Sequence, residues 1–167
     1  QERALSLNPN NDLIVVQTGE LMTWLGRPDE GIDWIKRAMR LNPYHPEIHN
    51  CLAVVLERRG EIEKAEREYL RAAELDPEYG APLRNLSEMY LEGGKRSEAL
   101  ETVRRAIARE PGNPAGLQVL ARIHTAAGDL RRARLILEDA LRLAPGNVSV
   151  RSQLMALRSA GEATGGR

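Results

Sequence analysis

His45 and His49 stand four residues apart, the spacing that sets two imidazoles on one helix face, as a metal pair needs. Pro46 follows His45 and places it in a turn, and no carboxylate or third histidine is expected near the pair. Both therefore read as packed or turn histidines, and no metal is expected. The stretch "EGGKRS", 92–97, has the composition of a phosphate-gripping loop, but Met89 occupies the place of the first glycine and Arg96 that of the Ser or Thr. It reads as an inter-helix turn. No nucleophile elbow, zinc-protease helix pair or dinucleotide fingerprint occurs in the sequence. Carboxylates are plentiful, yet a catalytic pair also needs a shaped pocket, so the chain reads as no enzyme and as requiring no cofactor. Cys51 is the single cysteine, which excludes an internal disulfide and a Cys-rich metal site, and its place on an apolar helix side predicts burial rather than reactivity. "NLS" at Asn85 and "NVS" at Asn147 fit a glycosylation pattern short enough to recur by chance.

Hydrophobic residues make up 42% of the chain and charged ones 29%, with 4% aromatic and no Phe, a balance that favours helix-rich globular structure over disorder. Twenty-four basic and twenty-four acidic side chains cancel, so no global field directs the chain to nucleic acid or to an anionic membrane. The halves differ. Residues 1–83 carry 10 Lys/Arg against 15 Asp/Glu, a balance of −5, and residues 84–167 carry 14 against 9, a balance of +5. The second half would prefer an acidic partner, and the opposed halves allow self-association. Arg104, Arg105, Arg131, Arg132 and Arg134 form a basic stretch, but stacking aromatics are absent from it and Glu101, Glu138 and Asp139 lie close by, so it reads as a solvated outer face. No run of about eighteen apolar residues exists to span a membrane. A lone cysteine favours a reducing compartment, which makes the cytoplasm the expected location and the periplasm the alternative. The chain opens at Gln1 inside what reads as the second half of a helix, so it is expected to be part of a longer protein, and "GEATGGR", 161–167, is expected to be a disordered tail.

The organising feature is a repeated helix ending. "RAMRLNP" ends at Pro43, and its counterparts "RALSLNP", "RAAELDP", "RAIAREP" and "DALRLAP" end at Pro9, Pro77, Pro111 and Pro145, each 34 residues from the next. Ala4, Ala38, Ala72, Ala106 and Ala140 keep the same step, as do Gly26, Gly60, Gly94 and Gly128. Two further small columns hold Gly31, Ala65, Ala99 and Ala133, and Gly19, Ala53, Ser87 and Ala121. A period of this length without alternating β-branched runs predicts an all-α stack of helix hairpins. The glycine column falls where a first helix must stop, the proline column closes the second, and the small columns mark close helix crossings. Apolar residues run at helical spacing on both helices: Leu52 and Leu56 with Ile62, Ala65, Tyr69, Ala72 and Leu75; Leu86 and Tyr90 with Val103 and Ile107; Leu120 and Ile123 with Leu130, Leu137 and Leu141. One hairpin cannot bury such a stripe alone.

Period, small columns and terminal proline together resemble the tetratricopeptide repeat. The resemblance divides the chain into the end of a preceding repeat (1–11), four units (12–45, 46–79, 80–113 and 114–147), a capping helix (148–160) and the tail (161–167). Arg151 and Arg158 stand in columns that hold Leu117, Leu83, Tyr90 and Leu56 inside the array, as suits a last helix with one side in water. Thr18, His49 and His124 depart from the bulky apolar pattern of their columns, and the first unit is expected to be the least regular.

The resemblance implies a right-handed superhelical solenoid of antiparallel hairpins whose first helices line a concave groove, with a protein or peptide as partner. Helical spacing then nominates Val16, Glu20 and Trp24 from unit one, Asn50, Val54 and Glu57 from unit two, Arg84, Glu88 and Leu91 from unit three, and Gln118, Arg122 and Thr125 from unit four. Asn50, Arg84 and Gln118 share a column, a polar ladder suited to bonding a peptide backbone. The family's two-carboxylate clamp for chaperone tails would need Lys and Asn, then Asn, then Lys and Arg; the columns from Pro46 hold Asn50 and Val54, Asn85, and Ala115 and Val119. That clamp is not expected. Trp24 and Trp34 are open to two readings, packing over an irregular first unit or anchoring a partner. The expected function is an interaction scaffold. The alternative is a regulatory or substrate-capturing appendage of a larger enzyme, such as a nucleotide cyclase or glycosyltransferase, because "GRPDEGIDWIKRAMRLNPYHPE" looks like repeats attached to such enzymes.

Overall fold

The computed structural model describes residue 17 and residues 21–164, with side chains through Ser159. After a helical run at 21–24 it shows eight helices: α1 (Pro28–Leu41), α2 (Pro46–Arg58), α3 (Ile62–Leu75), α4 (Ala81–Glu92), α5 (Arg96–Arg109), α6 (Pro114–Ala126), α7 (Leu130–Leu143) and α8 (Val148–Thr164). No strand occurs among the described residues. The chain forms two compact units, residues 1–85 and 86–167, with the boundary inside α4. Val16, Glu20, Thr18 and the expected helix end in 1–11 lie outside the described residues.

The repeat columns explain the helix ends. Gly26, Gly60, Gly94 and Gly128 all take positive φ, between 74° and 79°, the left-handed conformation that stops a first helix and turns the chain into the second. The second helices α1, α3, α5 and α7 each close with a cap N–H donated back into the last turn, Asn42 to Ala38, Asp76 to Ala72, Glu110 to Ala106 and Ala144 to Ala140. Pro43, Pro77, Pro111 and Pro145 come next and offer no N–H with which to continue. Three helices start on proline, Pro28, Pro46 and Pro114, where the missing donor costs nothing. Asn113 caps α6 by accepting from the Ala115 N–H at 3.0 Å, and Asp129 caps α7 by accepting from Arg132.

The small columns are the helix contacts. Ala38, Ala72, Ala106 and Ala140 are buried, as are Gly31, Ala65, Ala99 and Ala133, and Ala53, Ser87 and Ala121. Ser87 is the polar member, and its hydroxyl donates to the Ala99 carbonyl at 2.8 Å across its hairpin, so the burial leaves no orphan. Between these columns sits one large residue per second helix: Ile35, Tyr69, Val103 and Leu137, each at most 1% exposed. In the second unit Val103 and Ala99 pack with Val119 and Ile123, and Leu137 packs with Ala121, Ala133, Ala140, Val150 and Leu154.

Two expectations are corrected. The last helix does not stop at 160 but runs to Thr164, so 161–164 are helical rather than part of a disordered tail. A single interior glycine, Gly161, costs a helix only about 1 kcal/mol and does not end one whose other face is packed. Ile62, assigned to the apolar stripe of α3, is 38% exposed at the helix start.

A third correction concerns His49, because a carboxylate does stand beside it. α3 brings Glu68 to its ring, with Nδ1 2.7 Å from Glu68 Oε2 and Nε2 3.0 Å from the Pro43 carbonyl oxygen. Both partners are acceptors, so the doubly protonated imidazolium satisfies both, and the Glu68 bond raises the His49 pKa above its ordinary 6.5 while burial and Arg71 pull the other way. A raised folded value means that this contribution is fully present below the unfolded pKa near 6.5 and is lost as pH rises through the folded value. The melting temperature should therefore fall as pH rises above about 6.5 and through the raised folded value, and a His49→Leu variant should be flatter over that range. Parallel melting curves for the two proteins would remove the pair from the stability of α2 and α3.

Candidate functional site

The first helices α2, α4 and α6 carry the groove residues nominated from units two to four, and Trp24 lies in the helical run at 21–24. In the first compact unit, Asn50, Val54 and Glu57 are half-buried on α2, and Trp24 is 73% exposed with the Arg58 guanidinium 4.2 Å from its ring centroid. Trp24 is thus not packed into a core. It is held by a cation stacked on one face while the rest of the ring stays in water. Trp34, on α1, is half-buried and lies beside Arg37, so the two tryptophans differ in kind. Arg84 is half-buried at the start of α4, and its neighbour Asn85 donates to Asn50 Oδ1 at 3.1 Å, which fixes the rotamer of the first rung of the polar ladder. Glu57 accepts from the Tyr69 hydroxyl at 2.6 Å and is oriented by the core beneath it.

In the second compact unit the nominated residues converge. Arg122 pairs with Glu88 across α6 and α4, and Gln118 donates to Ser149 at 3.0 Å. Leu91, Arg122 and Thr125 line one cleft of about 530 Å³. Ala121, Ala126, Leu137 and three residues of α8, Gln153, Ala156 and Leu157, complete its walls. The α8 contribution was missed because that helix reads as a cap. The signal was present: Ala156 holds the column of Val54, Glu88 and Arg122, and a small residue among long ones marks room.

Asn50 and Glu57 in the first compact unit, and Gln118 and Arg122 in the second, are each bonded to a neighbour through the terminal atoms of their side chains. His124 and Asp129 approach to 3.8 Å, and among the described residues no three His, Cys, Asp or Glu side chains gather as metal ligands. Cys51 is buried and forms no disulfide. No described helix is long and apolar enough to cross a membrane.

Repeated hairpins with glycine turns and buried columns of small residues define a class of protein, the helical repeat. The Tetratricopeptide repeat family profile matches residues 56–123 and 90–158, and a second profile of that description matches 34–67. The chain belongs to the tetratricopeptide repeat family. Among curated proteins it is similar to the TPR repeat-containing protein YpiA of Bacillus subtilis, 27% identical over 138 residues, which are 83% of this chain and 32% of YpiA. The chain thus spans about a third of that relative's length. Among solved structures it resembles Pseudomonas aeruginosa PilF, with a TM-score of 0.76 at 21% identity over 91% of this chain and 69% of that one. It also resembles a chain of the APC/C Cut9–Hcn1 hetero-tetramer, with a TM-score of 0.77 at 16% identity over 93% of this chain and 31% of that one. At such identity these likenesses establish the fold.

Proposed function

We propose that the chain is a non-catalytic interaction scaffold that holds a segment of a partner protein along the first-helix surface. The observation that carries this is the state of the nominated side chains: Asn50, Glu57, Gln118 and Arg122 are each held by a neighbour, so they are pre-oriented rather than free. Pre-orientation lowers the entropy lost when a guest binds. Exposed Trp24, braced by Arg58, supplies a rigid aromatic anchor of the kind that dominates binding energy. The family likeness supports the same use, since tetratricopeptide folds generally bind proteins or peptides.

The test is affinity capture from the source cell's lysate by the wild type beside an Asn50→Ala, Arg84→Ala, Arg122→Ala variant of unchanged melting temperature. A protein retained by the wild type and lost by the variant is the expected result, and equal retention by both would move the interaction off this surface. With the captured partner in hand, tryptophan fluorescence should shift on binding and the shift should be absent in Trp24→Leu. A shift that survives in Trp24→Leu would assign it to Trp34.

A further inference from the structure

The cleft of the second unit has a floor of Leu91, Ala121, Leu137 and Leu157, and its volume of about 530 Å³ falls in the range of roughly 300–1,000 Å³ typical of pockets that enclose a bound group. It is open because Ala156 and Thr125, both exposed, present short side chains where Arg122 presents a long one. A flat polar groove would need no such recess, whereas a large apolar side chain of a guest would fill it.

Gln153 stands in the column of Cys51, Asn85 and Val119, and its Oε1 is buried without a hydrogen-bond partner among the described residues. An unpaired buried acceptor costs about 1–3 kcal/mol. A guest N–H would relieve that cost once this flexible side chain turns toward the cleft. The interior of a helix has no free backbone N–H to give, but an extended chain has one at alternate residues.

Charge sets the third requirement. Residues 86–167 carry 13 Lys/Arg against 9 Asp/Glu, a balance of +4. At the cleft edge Arg96 donates to the neutral carbonyl of Ala126, 3.2 Å away, with its cationic charge open to an anion. We propose that this cleft holds an extended segment of a partner protein in which a large aliphatic or aromatic side chain stands next to Asp or Glu. The proposal rests on the scaffold reading above and adds the chemistry of the guest.

The experiment selects displayed random short peptides on the whole chain, then titrates the enriched peptides, fluorophore-labelled, against the wild type and variants. Enriched sequences should place Leu, Ile, Phe or Trp beside Asp or Glu. Ala156→Leu and Thr125→Leu, which fill the recess from two exposed positions, should each weaken binding by about tenfold or more at unchanged melting temperature, and Gln153→Met by about threefold. Peptides that bind both filled variants as well as the wild type but are lost by Asn50→Ala, Arg84→Ala would overturn the cleft and leave the scaffold reading standing. Enrichment of Lys- or Arg-flanked peptides, or tighter binding by helix-locked versions, would overturn the guest chemistry. If no peptide is enriched, both readings fall together.

Discussion

Tyr69→Ala should cost about 3–5 kcal/mol, the loss expected when a fully buried aromatic ring is deleted and its surroundings cannot collapse. Tyr69 is 0% exposed, and the residues a turn away on its own helix, Ala65, Ala72 and Ala73, are too small to refill its space. Its column holds Ile35, Val103 and Leu137 elsewhere, so it is the largest of four equivalent wedges between hairpin helices. Tyr69→Phe keeps the ring and loses the hydroxyl bond to Glu57, a half-buried carboxylate, at about 1–2 kcal/mol. Guanidinium denaturation of the three proteins gives the ordering directly. Because repeat arrays gain stability from each unit and its neighbours, the Ala variant should also lose amide protection in α2 and α3 before α6 and α7. A loss of less than about 1 kcal/mol would mean that the ring is not the wedge of its hairpin. The Phe variant also tests the proposed function, since Glu57 loses the contact that fixes it on the proposed binding surface.

Much of this architecture is legible in the sequence because a periodic fold writes each physical constraint several times. A lone Gly60 could be chance; four glycines at one step, all found at positive φ, are a turn requirement repeated. The same holds for the alanine columns, every described position of which is buried. What the columns do not encode is pairing between residues far apart. Glu68 stands 19 residues from His49 and Asn85 35 from Asn50, and neither contact follows from a period of 34 until the hairpins are packed. Non-repeating positions were the other blind spot. Gln153 and Ala156 fall on a helix whose column-mates are polar or bulky, and their meaning emerges only with Leu91 and Leu137 opposite them. Trp24 could be read either way, because burial and anchoring use the same residue type; Arg58, 34 residues on, decides its setting.

Gly94→Val should destabilise the chain by about 1–3 kcal/mol, and the physical cause can be isolated at this site. At φ +74° a Cβ built on Gly94 meets nothing within 4 Å, so crowding by neighbours contributes nothing and the whole cost is backbone strain. The adjacent Gly93 is the internal control. Its φ is not in the left-handed region, and a Cβ there sits in ordinary contact, 3.4 Å from the Met89 carbonyl oxygen. Gly93→Ala should therefore stay within about 0.5 kcal/mol of the wild type. At Gly60, equally open at φ +76°, the order of cost should be Asn, then Ala, then Val, since Asn tolerates the left-handed region and a β-branched residue tolerates it least. Thermal or denaturant unfolding of this set distinguishes strain from packing: an ordering by side-chain size alone, with Asn as costly as Val, would show that the turn is crowded after all. The turn matters beyond stability because the Gly94 N–H bonds the Leu91 carbonyl and the Lys95 N–H that of Tyr90. A backbone that relaxes here shifts Leu91, a wall of the cleft, so Gly94→Val should weaken the cleft-selected peptides more than Gly60→Val does, at matched loss of stability.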